Sequence, residues 1–472
     1  MTTLLAVFAE VTKTHGDKLA IIEGNGDAIS FTDLEKRSKH LANHFVKRGV
    51  VAGDRVLVAM PVGIDLFASL AAIWQIGATV VFPEPAMGLK GLRHAARITK
   101  PKAFLSSGWY RLLGWFVPEL FCLNVRLSPK VEHQDQQSKP AHQTLPQDIA
   151  LISFTSGSTG APKAIARSHA FMMAQANAIS PLLRSNHDDE RDLVAFPVFV
   201  LVCLSLGITA VLPNWKLSRH DRATAETISA QITRQNITRL LVPPIICETL
   251  ADSSFPKLRA VFTGGGPVFP DTMLALIKTQ PDLRFVAVFG STEAEPIAHL
   301  EASEVNEADI EAMANGKGLL AGKPVSAVTL QIIDGEVQVA GSHVNQSYLD
   351  ARQNAENKVV RDGRIWHRTG DAARLDETGR IWLLGRFGHR VAGIDPFSVE
   401  TAARFWPGLR RSALVAMNGK PVLAVEGDKA HFATWSHKAA QLGINDVRVV
   451  SAIPMDKRHR SKVDLEHLKK QI

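Results

Sequence analysis

The sequence has few cysteines: Cys122, Cys203 and Cys247 are the three in 472 residues. No two of them have the short spacing of metal ligands. The sequence therefore predicts neither a disulfide framework nor a zinc site, and it favours a reducing compartment, the cytoplasm. Cys203 and Cys247 lie in apolar runs, so we expect them in the core.

Targeting and membrane signals are also scarce. The N-terminus has no basic residue before Glu10 and only a short apolar run, which is unlike a signal peptide. One uncharged segment, residues 193–212, is long enough to span a bilayer. Because Pro197 and Gly207 interrupt it and no second such span exists, we expect a buried core helix beside an apolar pocket, without stable membrane insertion.

Charge of one sign does not dominate, since 54 Lys and Arg face 46 Asp and Glu for a net charge of +8. Apolar residues form 46% and charged residues 21%, which excludes collagen-like structure and long disorder. At roughly 100–200 residues per domain, the length predicts two to four domains. The modest positive excess suits an anionic ligand, or a weak preference for a nucleic acid or a membrane surface.

Strand-like and helix-like segments alternate through the first 300 residues. This alternation predicts an α/β fold with doubly wound sheets. The predicted strands are residues 55–60, 79–82, 239–242, 258–263 and 283–289, and the predicted helices are residues 63–75 and 270–279.

The pattern changes after about residue 325, where turn dipeptides separate alternating apolar runs. These dipeptides are Asp334-Gly335, Asp362-Gly363 and Thr378-Gly379. We expect an N-terminal domain over residues 1–385 with a β-rich subdomain over about 325–385. Residues 386–472 are expected to form a small α+β domain. The Gln-rich, Pro-punctuated residues 131–147 resemble an exposed loop or linker.

The strongest local signal is the segment LISFTSGSTGAPKA, residues 151–164. Small residues let backbone N–H groups gather around phosphate oxygens, hydroxyls add donors, and a lysine offsets charge. No Gly-Lys-Ser/Thr follows the second glycine, so it is not a Walker A loop. An exposed Ser/Gly turn is the alternative. The predicted phosphate-binding residues are Thr155, Ser156, Gly157, Ser158, Thr159, Gly160 and Lys163.

Four more motifs follow in order: Gly264-Gly265-Gly266-Pro267, Phe289-Gly290-Ser291-Thr292-Glu293, Arg368-Thr369-Gly370-Asp371 and Gly385-Arg386. With the phosphate loop, they resemble the AMP-forming adenylating superfamily of acyl-CoA synthetases, peptide-synthetase adenylation domains and luciferases. The resemblance extends over nearly the whole chain. It implies that ATP and Mg²⁺ are required and that the C-terminal domain is mobile.

The resemblance also implies roles for individual residues. The glycines at 264–266 and Phe289, with Gly290 and Ser291, would line the adenine site. Asp371 and Arg386 would bind the ribose hydroxyls. Loop 155–163 would hold the β- and γ-phosphates, and Thr159 and Glu293 would serve magnesium.

The implied catalytic residues are Lys462, Thr292, Glu293 and His389. The family's C-terminal lysine motif is altered in this chain, so Lys457 is an alternative to Lys462. His367 and His389 are either proton shuttles for a substrate hydroxyl or structural groups.

Departures from the superfamily resemble one branch, the β-lactone synthetases of bacterial olefin biosynthesis. They are Gly388 and the stretch 389–396, the Trp366-His367-Arg368 start of the ribose motif, and residues 454–463. The branch implies that an acyl-adenylate of a 3-hydroxy fatty acid closes to a β-lactone. Transfer to coenzyme A is the alternative.

The expected partner is a small carboxylic acid, with possible pathway enzymes or a second copy of the chain. A catalytically dead nucleotide-binding regulator and a nucleic-acid binder are rival hypotheses. A dead regulator could have lost Glu293, Asp371 or Lys462, but this chain has all three. A nucleic-acid binder would be expected to have aromatic residues among its basic ones. The basic C-terminal residues of this chain have none between them, so we expect no nucleic-acid partner.

Overall fold

The computed structural model describes residues 2–84, 87–130, 143–155, 162–456 and 462–472. Its contacts divide the chain into two compact units. Unit 1 comprises Met1–Asn214 and Ser342–Lys358, and unit 2 comprises Trp215–Gly341 and Val359–Ile472. The predicted boundary at residues 385 and 386 lies inside unit 2 and stays a prediction.

The strands are numbered in chain order. They are β1 Leu19–Ile22, β2 Ala28–Ser30, β3 Arg55–Ala59, β4 Thr79–Phe82, β5 Ala103–Ser106, β6 Val125–Leu127, β7 Ile149–Thr155, β8 Lys163–Ser168, β9 Arg191–Val194, β10 Thr209–Val211, β11 Arg239–Val242, β12 Ala260–Gly264, β13 Arg284–Ser291, β14 Ala294–Glu301, β15 Leu319–Pro324, β16 Thr329–Ile333, β17 Glu336–Ala340, β18 Lys358–Arg361, β19 Arg364–Leu375, β20 Ile381–Arg386, β21 Leu409–Met417, β22 Lys420–Gly427 and β23 Asp446–Val449.

The α-helices are numbered in the same way. They are α1 Leu4–His15, α2 Phe31–Lys47, α3 Ile64–Gln75, α4 Gly88–Thr99, α5 Leu113–Phe116, α6 Pro118–Phe121, α7 His169–Leu183, α8 Pro197–Ser205, α9 Ala225–Arg234, α10 Pro244–Thr249, α11 Pro270–Thr279, α12 Glu307–Ala314, α13 Asn354–Asn357, α14 Pro396–Ala403, α15 Phe432–Gln441 and α16 Leu465–Lys469.

Unit 1 contains a six-stranded sheet in the order β6-β5-β3-β4-β7-β8. Its first five strands are parallel, and β8 returns antiparallel to β7. Strands β9, β10 and β1 of the same unit pair in parallel, with β2 antiparallel to β1. The parallel strands are apolar because helices cover such strands on both faces. The predicted α/β class is confirmed.

Some helices of unit 1 begin where a short polar side chain satisfies one of the first free N–H groups. Ser30 accepts from the N–H of Asp33 at the start of α2, and Ser168 accepts from that of Phe171 at the start of α7. Such caps satisfy donors that have no partner within the helix.

The apolar segment 193–212 is not one core helix, so that prediction was wrong. It contains the end of β9, the nine-residue helix α8 and strand β10. Pro197 lacks an N–H group and is best tolerated in the first turn of a helix, where α8 begins, while Gly207 has φ +71° just beyond the C-terminus of α8. The expected apolar pocket does lie beside α8, where Leu201 and Leu204 face Leu4 and Phe8 of α1. No helix among the described residues is long and apolar enough to cross a membrane.

Unit 2 begins with three parallel strands, β11, β12 and β13. From β13 the pairing becomes antiparallel and continues through β14, β15, β20, β19, β17 and β16. The predicted hairpin turn between β16 and β17 is present, with φ +51° at Asp334 and +86° at Gly335. Positive φ at both central residues gives the turn that matches the twist of the strands.

The C-terminal residues of unit 2 carry hydrophobic clusters of their own. One packs Trp406 and Trp435 around β22 and α14, and another packs Ile453 and Leu468 beside β21. Every member of these two clusters lies between residues 391 and 472. Strands β21 and β22 are antiparallel, and β23 joins β22 in parallel.

Candidate active site

The predicted phosphate loop connects β7 to β8 in unit 1. Thr155, the last residue of β7, pairs with Lys163, the first residue of β8, so the two ends of the predicted loop lie side by side. Thr155 is buried. Ser156, Gly157, Ser158, Thr159 and Gly160 lie outside the described residues, and their assignment stays a prediction.

Lys163 is held by residues that the sequence did not identify. Its side chain is buried, and Nζ donates to Oδ1 of Asn357 at 3.0 Å. The same ammonium lies 5.4 Å from the centroid of the Tyr348 ring, and Lys358 lies over that ring at 5.2 Å. Nothing in the sequence links residues 194 positions apart, so only the fold could reveal this contact.

The predicted adenine glycines lie at the carboxyl end of β12. Gly264 pairs with Val288 of β13, and a Cβ at Gly264 would lie 2.5 Å from the Val288 carbonyl oxygen. Gly265 follows with φ +76°, a conformation that favours glycine. Gly266 is half-buried in the next position. Glycine is therefore required at 264 by its close approach to β13 and favoured at 265 by its backbone conformation.

Residues 289–293 form the neighbouring edge. Phe289 is half-buried near the end of β13, and the ladder to β14 shifts register at Gly290. Ser291 pairs with Ala294, so Thr292 and Glu293 form the tip of a tight hairpin. Since β12 and β13 are parallel, this tip and the three glycines lie at the same edge of the sheet.

A magnesium site would draw on Glu293. The described residues contain no cluster of three or more His, Cys, Asp or Glu that could hold a metal ion. Proteins commonly bind Mg²⁺ through one or two carboxylates together with substrate phosphates and water. The half-buried carboxylate at the tip of the β13–β14 hairpin could supply such a ligand.

The predicted ribose residues form a direct ion pair across β19 and β20. Nη1 of Arg386 donates to Oδ1 of Asp371 at 2.7 Å, and the two residues are register partners in the ladder. Gly370 has φ +70°, and a Cβ there would lie 2.7 Å from Nη2 of Arg386. Burial raises the pKa of Asp371, while Arg386 and the charge of Lys462 oppose that shift.

Glu336 supports this pair from behind and was not predicted from the sequence. Its buried carboxylate accepts from Nε of Arg368 at 2.7 Å and from the N–H of Gly370 at 3.1 Å. Thr369 donates its hydroxyl to the Val337 carbonyl oxygen at 2.9 Å. These hydrogen bonds hold the backbone at Thr369 and Gly370, immediately before Asp371.

Lys462 lies near Asp371, on which its charge acts. The backbone around it is tightly held: its N–H donates to Oδ1 of Asp456 at 2.9 Å, and its carbonyl accepts from the Asp456 N–H at 2.7 Å. Met455 and Val463 bridge next to this pair. The side chain of Lys462 is exposed, and Lys457 lies outside the described residues.

The two candidate histidines differ in environment. His367 is buried in β19 and is the register partner of Val339. His389 follows β20 on the surface, where partial desolvation and the charges of Arg386 and Lys469 lower its pKa. A neutral imidazole that can accept a proton is therefore favoured at His389.

The chain is similar to a known protein family and to several known proteins. The family model described as AMP-binding enzyme matches residues 8–349. The olefin β-lactone synthetase of Xanthomonas campestris pv. campestris is 28% identical, over 93% of this chain and 90% of that protein. A feruloyl-CoA synthase from an Amycolatopsis species is 26% identical, over 84% of this chain and 82% of that protein.

A solved structure shows the same fold. The O-succinylbenzoate coenzyme A synthetase of Bacillus subtilis, in complex with ATP and a magnesium ion, has a TM-score of 0.79 at 18% identity. The alignment covers 98% of this chain and 99% of that one.

Proposed function

Because the chain belongs to the AMP-binding enzyme family, we propose that it activates a fatty or 3-hydroxy fatty acid with ATP and Mg²⁺ and then closes the acyl group to a β-lactone. Membership of the family makes the chain an adenylating ligase. The acid and the fate of its adenylate are the parts that we infer.

In the first half-reaction, a carboxylate oxygen of the substrate bonds to the α-phosphorus of ATP, and the bond to the bridging oxygen breaks to release pyrophosphate. Two anions must approach each other, so fixed cations lower the barrier. Lys462 would provide one beside the attacked phosphorus. When bound, Mg²⁺ offsets the charge of the phosphates and the leaving group. Glu293 would hold it together with Thr159.

The observation that supports adenylation most directly is the convergence of Asp371, Arg386 and Lys462 in unit 2. Asp371 is hydrogen-bonded to Arg386 on the neighbouring strand, and the charge of Lys462, far along the chain, also acts on it. A carboxylate can accept from both ribose hydroxyls, and cations close to it would offset the charge of the phosphates. Gly265 and Phe289 are both half-buried at the carboxyl ends of neighbouring strands, where the base would bind.

In the second half-reaction, the substrate's own 3-hydroxyl oxygen bonds to the adenylate carbonyl carbon. The bond from that carbon to the phosphate oxygen breaks, AMP leaves, and the hydroxyl proton passes to a base. The attack is intramolecular, so a high effective molarity favours it without a second ligand. His389, with its lowered pKa, is the candidate base.

The stretch over residues 389–396, which differs from the superfamily's pattern, supports closure over transfer to coenzyme A. Val391 and Ile394 bridge around a tight turn in which Ala392 and Gly393 both have positive φ. Nε of Arg390 donates to the Gly393 carbonyl oxygen at 2.8 Å and lies 3.5 Å from Asp395. The guanidinium is thus engaged within its own turn, where the superfamily's stretch would help to position coenzyme A.

Transfer to coenzyme A is the second candidate, and the similarity to a feruloyl-CoA synthase favours it. Mass spectrometry of the products decides between the two. The full chain, ATP and Mg²⁺ would be incubated with a 2-alkyl-3-hydroxy acid, with and without coenzyme A. The matched control is the 2-alkyl acid without the hydroxyl, which should undergo pyrophosphate exchange but give no lactone.

We expect a β-lactone and AMP from the hydroxy acid in both conditions. A thioester from either acid, with no lactone, would make the chain an acyl-CoA synthetase. No pyrophosphate exchange across a broad panel of acids, in folded protein, would refute the proposed substrates altogether.

A further inference from the structure

The surface of unit 1 carries an unusual group of exposed apolar side chains. Trp109, Leu112, Trp115, Phe116 and Phe121 are each between 54% and 72% exposed. They lie within thirteen consecutive positions, on a short 3-10 helix over Gly108–Leu112 and on α5 and α6. We call these five residues the aromatic patch. Groups of large apolar side chains that remain in water mark contact with a membrane or another molecule.

The patch is exposed because the same segment already buries another apolar face. Val117 and Leu120 are fully buried in the cluster that contains Phe104 of β5. Tyr110 and Leu113 pack against that cluster from its edge. The inward side chains therefore anchor the segment, and the five patch residues cannot turn inward without displacing them.

The patch is also a physical group and not five isolated residues. Trp115 and Phe121 lie 6.1 Å apart between ring centroids, which joins α5 to α6. Trp109 stacks on Tyr110 at 4.1 Å. Arg126 ties the segment together, because its Nη2 contacts the carbonyl oxygens of Gly114, Leu120 and Phe121.

The sequence segment that carries the patch is rich in positive charge. Residues 87–130 contain eight lysines and arginines and a single acid, Glu119, in a chain whose net charge is +8. Glu119 forms ion pairs with Arg97 at 2.8 Å and with Arg93 at 3.2 Å. The hydrogen bonds from these two arginines lower the pKa of Glu119 to about 2. Arg111 lies within the patch segment itself and donates to Ser128.

We propose that the aromatic patch docks this enzyme reversibly on an anionic lipid surface. Tryptophan and phenylalanine with surrounding lysine and arginine are the side chains that enter a membrane interface, where the rings sit at headgroup level and the cations meet lipid phosphates. Protein interfaces differ, because charged residues are depleted in their cores. Docking of this kind needs no membrane-spanning helix.

Docking on lipid would also affect substrate supply, a consequence that rests on the proposed function. A long-chain acid partitions into lipid, so an enzyme that lies on the bilayer meets this substrate at a higher concentration than an enzyme in bulk water. Docking and adenylation are separate properties and can be measured separately.

Flotation with lipid vesicles tests the proposal directly. The full chain would be mixed with vesicles of phosphatidylcholine, with or without phosphatidylglycerol, at low and high salt. We expect binding to the anionic vesicles only, weakened by salt. Each cation near such a surface strengthens binding about fivefold. Arg111→Glu should therefore weaken it by at least about that factor, while Lys420→Glu, the same change at an exposed site in unit 2, serves as control.

A second variant tests how much the aromatic side chains contribute to vesicle binding. Trp115→Ser with Phe116→Ser should abolish vesicle binding, whereas Val360→Ser, at a side chain that is 75% exposed in unit 2, should not. Because these side chains lie in water, the variants should keep their melting temperature and their pyrophosphate exchange with a short soluble acid. These two measurements separate loss of docking from loss of folding or of the proposed activity.

Cys122 provides an independent probe, since it is exposed next to Phe121 while Cys203 and Cys247 are buried. A polarity-sensitive dye on Cys122 should shift its emission to the blue with anionic vesicles. No binding to anionic vesicles, or equal binding by the double-serine variant, would overturn the proposal. A concentration-dependent dimer that the double-serine variant abolishes, without vesicle binding, would overturn it in favour of an interface between two copies.

Discussion

Lys462 is the side chain on which the proposed adenylation depends most directly, because its charge acts on Asp371. Lys462→Ala should slow adenylate formation by a factor of several hundred. This factor corresponds to the ~3–4 kcal/mol that a single charge-stabilising donor contributes to a transition state. ATP binding should change little. Pyrophosphate exchange and ATP titration measure the two effects.

The matched variant is Lys457→Ala, five positions earlier in the same motif. We expect it to keep most of the exchange activity. If Lys457→Ala is the damaging change and Lys462→Ala is mild, the assignment of the catalytic lysine is wrong.

Glu400 on α14 gives a prediction about pH. Burial raises the pKa of its carboxyl to about 7, while the Leu414 N–H at 2.9 Å and the charge of Arg404 oppose the shift. The folded state thus prefers the protonated form, and the unfolded state releases the proton near pH 4.5. Between these pH values the unfolded state binds fewer protons, so stability falls as pH rises and levels off above pH 7.

Glu400→Gln should remove this dependence. The variant should match the wild type near pH 4.5 and exceed its free energy of unfolding at pH 8 by up to about 3 kcal/mol. Denaturant unfolding at the two pH values is the measurement, and Glu377→Gln, at an exposed turn, is the control. An equal difference at both pH values would contradict the titration of Glu400.

At the scale of elements, local sequence signals predicted well where they were strong. The helix Pro270–Thr279 and the strands Thr79–Phe82 and Arg239–Val242 have the bounds that the pattern indicates. In each case glycine, proline or a polar residue marks an end. Segment 193–212 failed because hydropathy alone does not distinguish a long helix from a strand, a short helix and another strand.

In the candidate site, too, the sequence indicated some residues and missed others. Motifs singled out Gly264, Phe289, Asp371 and Arg386, all of which lie on strands of unit 2. The residues that hold such groups were missed, because their partners are set by strand pairing. Glu336 meets Arg368 across 32 positions through the β17–β19 ladder, and no local pattern in a strand reveals which buried acid will do so.

The network around Arg380 shows how a single charge connects elements. Its guanidinium forms two bonds to Asp309 of α12, at 2.7 and 2.8 Å, and one at 2.8 Å to Asp376 at the end of β19. Asp309 is almost fully buried. Removing one partner of a buried pair leaves the other charge without compensation, at a cost of roughly 3–5 kcal/mol.

Asp309→Ala should therefore lower the free energy of unfolding by about 3 kcal/mol and leave the KM for ATP unchanged, because the network does not include Asp371 or Arg386. Denaturant unfolding and steady-state kinetics are the measurements. Glu307→Ala, an exposed acid in the first turn of the same helix, should cost much less. A loss of stability below that of this control would mean that the pair is not buried as described.

At the scale of the whole molecule, ion pairs attach the C-terminal residues to the rest of unit 2. Arg411 contacts Glu248 of α10 at 2.7 Å, and Arg404 contacts Glu248 at 3.6 Å and Asp271 of α11 at 3.2 Å. The Arg404 guanidinium also lies 4.3 Å from the centroid of the Phe269 ring. The two arginines are largely buried, so these contacts are screened less by salt than surface pairs are.

The attachment should control the proposed chemistry, because Lys462 belongs to the same C-terminal segment as Arg404 and Arg411. Glu248→Gln should reduce pyrophosphate exchange about tenfold, equivalent to about 1.4 kcal/mol, and increase hydrogen exchange at residues 386–395. Glu226→Gln, an exposed acid of α9 in the same unit, is the control and should change neither. If Glu248→Gln loosens residues 386–395 while exchange stays at the wild-type rate, docking of the C-terminal segment does not position Lys462, and the lysine must act from a conformation that these ion pairs do not stabilise.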